Sequence, residues 1–245
     1  MKFDAADQEL RNPKVFYPDP KNVDLDRVLI NLFILLVLGY RRVFLEKIDL
    51  YAWIAYGLFV LWIAFRAWRR TTVAERQQYV SEFLRLLKES REELARIVTL
   101  ENGKTLRESR AEVDSALIEG NYHLTQVSAF YGHTGPGALR DITTWVQYEP
   151  VGVVAVISPW NFPMNVMCRK TLPALLTGNT VVFKPASFTP WSGVFMASLF
   201  EQAGLPSGVF NCVTGLGSSI GNRIVEDARV RAISFTGSTA VGKKI

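Results

Sequence analysis

The spacing of apolar residues divides this chain into three zones. Residues 28–38 are apolar except for Asn31, and 50–65 form a second run with no charge. Arg41, Arg42, Glu46, Lys47 and Asp49 separate the two runs, and Arg66, Arg69 and Arg70 follow the second. Two apolar helical runs are therefore expected. Neither reaches the ~20 residues that cross a hydrocarbon core comfortably, yet Trp53, Trp62 and Trp68 with their flanking arginines have the look of an interfacial belt. Two readings stay open for 28–65: a membrane-spanning or membrane-embedded segment, or a buried helix or a face hidden in an oligomer.

From residue 72 the period becomes helical. Thr72 with Glu75 three residues later forms a capping box, and Val80, Phe83, Leu84, Leu87, Leu94, Ile97 and Val98 recur at helical spacing among charged positions. One solvated amphipathic helix is predicted, stopped by Asn102-Gly103, because glycine adopts the left-handed conformation past a helix end at no steric cost. A second helix follows over about 105–129. Beyond 150 the pattern shifts to short β-branched runs at 151–157, 180–184, 209–214 and 230–235, with helix-patterned segments between them. Apolar runs without alternation imply strands buried on both faces, as in a parallel sheet flanked by helices. The predicted fold class is α/β: a Rossmann-like parallel sheet with crossover helices, preceded by the amphipathic helical segment and an apolar N-terminal helical region.

Composition narrows the function. With 49% apolar and 21% charged residues in 245, the chain is neither disordered nor collagen-like nor a disulfide knot. The formal charge of +5 is spread without a Lys/Arg cluster interleaved with aromatics, which excludes nucleic acid as an expected partner. Cys168 and Cys212 lie in apolar surroundings with no CxxC, and His123 and His133 are the whole histidine complement, so no disulfide framework and no metal site are expected. The first apolar run begins too late for a signal peptide and no small-residue cleavage site follows it, so a cytoplasmic location is expected, with membrane association through 28–65 left open.

In doubly wound sheets ligands bind beyond the carboxyl ends of the strands. The segments there are Ser158-Pro159-Trp160-Asn161-Phe162-Pro163, Lys184-Pro185-Ala186-Ser187, Gly215 to Gly221, and Thr236-Gly237-Ser238. Prolines fix the backbone on either side of Asn161, so its amide can be held as a donor to a developing oxyanion. Lys184 offers a point charge for a ribose or phosphate, and the Gly-Ser turns let backbone N–H groups approach a diphosphate. A glycine-rich fingerprint directly after the first strand is missing, so a nucleotide would be held differently from the common dinucleotide pattern.

These residues resemble the aldehyde dehydrogenase superfamily. The resemblance is carried by Glu149-Pro150-Val151-Gly152-Val153-Val154 leading to Pro159-Trp160-Asn161-Phe162-Pro163, by the 178–186 segment GNTVVFKPA, by Ala203-Gly204-Leu205-Pro206, and by Phe235-Thr236-Gly237-Ser238. Ala64-Phe65, Trp68, Glu75-Arg76 and Glu101-Asn102-Gly103-Lys104 extend it upstream, so that it covers roughly 64–245. It implies a cofactor-binding domain at 64–245 after an atypical region at 1–63, and oxidation of a small aldehyde to an acid through a cysteine thiohemiacetal, with hydride transfer to NAD or NADP. It also implies homo-oligomers for full-length relatives.

Position by position, Asn161 looks like the family's oxyanion-hole amide and Lys170 like a lysine that some members use as a charge relay. The cofactor positions implied are Ser158, Pro159, Trp160, Asn161, Lys184, Pro185, Ala186, Ser187, Gly217, Ser218, Gly221, Gly237 and Ser238. The position matched by Ser187 often holds a glutamate in NAD-preferring members, and serine there implies tolerance of NADP. Two departures accompany the match. The family's catalytic cysteine and general-base glutamate normally follow the Gly-Ser-Thr turn and the next helix, beyond the residues present, so the chain is expected to be a partial form, inactive alone. Residues 35–63 do not resemble the family's usual start, being either an anchor or a misjoined stretch. The competing readings are a non-catalytic nucleotide-binding module and a membrane-attached interaction protein.

Overall fold

A computed structural model of the chain describes residues 50–130 and 132–245. The apolar run expected at 28–38 and the charged patch after it lie outside the described residues. The first described element, α1 (Leu50–Trp68), takes in the second apolar run and continues through the expected boundary at 63/64. Leu61, Phe65 and Trp68 are spaced to share one helix face, and all three are buried. Leu61 packs under the sheet with Val153, Ala155 and Val182, while the Trp68 indole N–H donates to the Leu175 carbonyl at 3.1 Å.

That placement packs the end of this stretch, from Leu61 on, against the sheet, while the part of the open membrane reading that falls on 28–49 lies outside the described residues. With residues from 61 onward inside the fold, the eleven from 50 to 60 extend ~16 Å, about half a hydrocarbon core. No helix among the described residues is long and apolar enough to cross a membrane. The aromatic-basic pattern has a local cause instead: the Arg66 guanidinium lies 5.2 Å from the Trp62 ring centre and that of Arg69 lies 5.5 Å from Phe65.

The single helix expected after residue 72 is two, α2 (Val73–Glu89) and α3 (Arg91–Asn102), which meet at Ser90. Seven residues, very nearly two turns, separate Leu87 from Leu94, so the apolar stripe keeps its phase across the break. The Thr72–Glu75 capping box forms in both directions, and Gly103 ends α3 at φ 85°. Thr105 and Glu108 make the same reciprocal cap at the start of α4 (Leu106–Gln126), which gives way to a 3-10 turn at Val127–Ala129. A hairpin that the sequence pattern did not predict follows, with β1 (His133–Pro136) antiparallel to β2 (Thr143–Val146).

The four expected sheet strands appear as β3 (Val153–Ile157), β4 (Thr180–Lys184), a shortened β5 (Phe210–Cys212) and β6 (Val230–Phe235). They are parallel, in the order β5-β4-β3-β6. The connections are α5 (Asn165–Leu176), α6 (Pro190–Gln202), and a π-helical turn at Gly217–Gly221 running into α7 (Asn222–Glu226); α8 (Thr239–Gly242) follows β6. Alternation along the strands divides the core into two layers. Val154, Val156, Val181 and Phe183 face the helices α2 to α6, and Val153, Ala155 and Val182 face α1 and α7. Burial on both faces is what the unbroken apolar runs required.

Candidate functional site

The chain runs outward from β3 through β4 to β5, then returns to place β6 on the other side of β3. The carboxyl ends of β3 and β6 therefore diverge into a crevice where the strand order reverses. A cleft of about 840 Å³ opens there. Of the residues predicted from the sequence, Ser158, Pro159, Trp160, Asn161, Lys184, Ala186, Gly217, Ser218, Gly221, Gly237 and Ser238 line it. Four strand ends thus converge on one cavity.

Pro185 and Ser187 are not part of that lining. Pro185 is buried under α6, where a Cβ on Gly193 would come within 3.1 Å of it. Ser187 is exposed, and its hydroxyl donates to the Gly215 carbonyl at 3.0 Å, tying the β4–α6 loop to the turn after β5. That turn needs its glycine: Gly215 has φ 152°, and a Cβ would sit 2.2 Å from the Ile220 side chain. Sequence reasoning missed the wall contributed by Asn222 and Val225 of α7 and by Val241 of α8. The signal was available, since Asn222 and Val225 stand four residues beyond Ser218 and Gly221 on a helical path.

The cleft contains polar groups with unused capacity. Lys184 is 4% exposed, its ammonium donates to the Pro185 carbonyl at 3.1 Å, and burial holds its pKa below the usual lysine range. Ser158 Oγ is buried without a hydrogen-bond partner among the described residues. The Asn161 amide likewise makes no hydrogen bond there and stands exposed in the lining.

Lys170 is placed differently. Its ammonium donates to the carbonyls of Ile157 at 3.2 Å and Ser234 at 3.1 Å, joining β3 to β6 at the base of the crevice rather than lining it. Burial lowers its pKa to about 8.

The missing glycine fingerprint has a structural counterpart at the start of α5. Glu112 Oε1 accepts the N–H groups of Met164 at 2.9 Å and Asn165 at 3.2 Å, and its Oε2 accepts from the Lys104 ammonium at 2.7 Å. Glu101 does the same for α6, accepting from the N–H groups of Trp191 at 2.8 Å and Ser192 at 3.1 Å; burial raises its pKa. The helices after β3 and β4 therefore begin against protein carboxylates, which occupy the place a diphosphate takes in the common dinucleotide fold.

Neither thiol belongs to the cleft. Burial pushes Cys168 far above the usual thiol range and Cys212 up to about 12. His123 is half-buried on α4, with its pKa held down by burial, and His133 is exposed on β1. No group of three metal-ligating side chains occurs among the described residues.

Residues 62–245 match the profile of the aldehyde dehydrogenase family. The NADP-dependent succinate-semialdehyde dehydrogenase GabD of Escherichia coli is 42% identical over 182 residues, which is 74% of this chain and 38% of that enzyme. A glutarate-semialdehyde dehydrogenase of Pseudomonas aeruginosa is 40% identical with the same coverage. Among solved structures, the glyceraldehyde-3-phosphate dehydrogenase GapN of Methanocaldococcus jannaschii in complex with NADP superposes with a TM-score of 0.75 at 30% identity, over 78% of this chain and 42% of that one. The chain thus spans about two fifths of the length of these relatives. With the match running from the second half of α1 through the whole sheet and cleft, the chain belongs to the aldehyde dehydrogenase family.

Proposed function

We propose that the chain is the nucleotide-binding part of an NAD(P)-dependent aldehyde dehydrogenase, with the switch-point cleft as its dinucleotide site. The observation that carries this reading is the convergence of four strand ends on one cavity that contains a buried ammonium and an orphaned hydroxyl, Lys184 and Ser158. Those two groups fit the hydroxyl and phosphate oxygens of a dinucleotide, which would satisfy both. Lys184 and Ser158 would hold a ribose or phosphate, the Gly217-Ser218 and Gly237-Ser238 turns would follow the diphosphate with backbone N–H groups, and Trp160 would form the outer wall. When bound, the nicotinamide supplies a hydride acceptor.

Asn161, exposed in the cleft lining, would donate its amide to an aldehyde oxygen as negative charge develops on it. Such a preorganised donor stabilises a transition state by about 3 kcal/mol in acyl-transfer enzymes. The nucleophilic thiolate is not supplied by either cysteine of this chain. Lys170 contributes by holding β3 and β6 at a fixed separation beneath the cleft rather than by carrying a proton. The two semialdehyde dehydrogenases above act on aldehydes that also bear an acid group, and a small acid-bearing aldehyde is the substrate class we propose.

Titration of the chain with NADPH and NADH, followed by energy transfer from tryptophan, tests the reading. Binding of either is expected, weakened at least tenfold by Lys184→Ala. A folded chain with no affinity for either nucleotide at millimolar concentration overturns the assignment. NADPH is expected to bind at least as well as NADH, because Ser187, next to the lining residue Ala186 at the rim of the cleft, adds no negative charge there; Ser187→Glu, whose longer side chain brings a carboxylate to that rim, should reverse the order.

A further inference from the structure

The segment between β3 and α5 carries both Trp160 and Asn161 and belongs to no strand or regular helix. Three side chains from the corner between α3 and α4 hold it from behind, and of these none lines the dinucleotide cleft. Asn102 Nδ2 donates to the Trp160 carbonyl at 2.6 Å, and Lys104 Nζ donates to the Asn161 carbonyl, also at 2.6 Å. The same ammonium lies 4.5 Å from the Phe162 ring centre and is paired with Glu112. Glu112 then takes the N–H groups of Met164 and Asn165. Contacts therefore fall on residues 160, 161, 162, 164 and 165, and those on 161 to 165 all return to one ion pair whose carboxylate is 1% exposed.

This arrangement is more than a helix cap. A carboxylate alone would satisfy the start of α5. The ammonium adds a bond to the carbonyl of the residue whose amide faces the cleft, so the positions of Asn161 and of the α5 terminus are coupled through one rigid pair. Asn102 fixes the neighbouring carbonyl independently.

We infer that Asn102, Lys104 and Glu112 are positioning residues for the Trp160–Asn161 wall, fixing the place of the Asn161 amide and the Trp160 backbone without touching a ligand. The inference rests on the dinucleotide reading of the cleft for its functional meaning, and its geometry can be tested apart from it.

The test uses the 245-residue chain and four variants, Lys104→Met, Lys104→Arg, Glu112→Gln and Asn102→Ala. NADPH affinity is expected to fall about tenfold in Lys104→Met and about threefold in Asn102→Ala, with Lys104→Arg recovering most of the loss. Amide exchange across residues 158–165 should quicken in Lys104→Met and Glu112→Gln while that of β4 is unchanged. The side-chain amide resonances of Asn161 should move in Lys104→Met and in the exposed-side variant Asn102→Ala, which serves if the buried substitutions fail to fold. Unchanged affinity in folded variants overturns the inference, as does an unmoved Asn161 signal. A wild-type chain that does not bind NADPH would overturn the dinucleotide reading instead, and the Asn161 resonances would still decide whether the three residues position it.

Discussion

Lys170 is the residue whose surroundings the sequence describes least. Its ammonium donates to two carbonyls at the ends of neighbouring strands. Nothing local in the sequence announces those partners, because Ser234 stands 64 residues away. Burial lowers the Lys170 pKa from 10.5 to about 8, so the fold favours the neutral amine. The unfolded chain therefore binds more protons than the folded one between about pH 8 and 10.5, and the wild type should gain stability relative to Lys170→Met as pH rises through that window. Urea unfolding of both proteins across the window measures it, and a constant difference would show that Lys170 does not titrate there.

The two thiols give a second expectation at this scale. With Cys168 buried and Cys212 pushed up to about 12, both should react with a disulfide reagent near neutral pH far more slowly than a free thiol, and faster on unfolding. Asn161, by contrast, was legible from the sequence. Prolines on both sides and a strand directly upstream mark its position with no long-range information.

Among elements, legibility followed burial. The strands β3 and β4 could be read because both faces are covered, which leaves unbroken apolar runs, and β6, only partly buried at the sheet edge, was read from its own largely apolar run. The hairpin of β1 and β2 could not, since most of its positions, including Trp145 and Val146, are exposed and give no alternation. The break at Ser90 was hidden by an apolar stripe that resumes in phase. The carboxylates at the starts of α5 and α6 were invisible because their partners lie between 52 and 91 residues away. For α1 the sequence left membrane and core both open, and a single substitution separates them. Leu61→Ala removes a side chain that is 2% exposed against Val153 and Val182, at an expected cost of about 2 to 4 kcal/mol in chemical unfolding. Unchanged stability would mean that α1 does not belong to the core.

At the scale of the whole molecule, the family's chemistry needs a thiolate beside the oxyanion donor, and this chain places none there. The purified chain is expected to bind nucleotide yet show no NAD(P)-dependent aldehyde oxidation and no thiol-dependent ester hydrolysis. Turnover that disappears in Cys168→Ser would contradict the burial of that sulfur.

The strand order has a consequence in time as well as in space. β3 has β4 beside it soon after both are synthesised, but its other neighbour, β6, ends 78 residues after β3 does, at Phe235 rather than Ile157. At translation speeds of about 5 to 20 residues per second, the central strand spends roughly 4 to 16 s with one edge unpaired. During that interval its row of N–H and C=O groups is a template for any extended segment within reach. Slowing the ribosome between codons 158 and 235 should therefore lower the soluble yield, whereas the same pause placed after residue 235 should not.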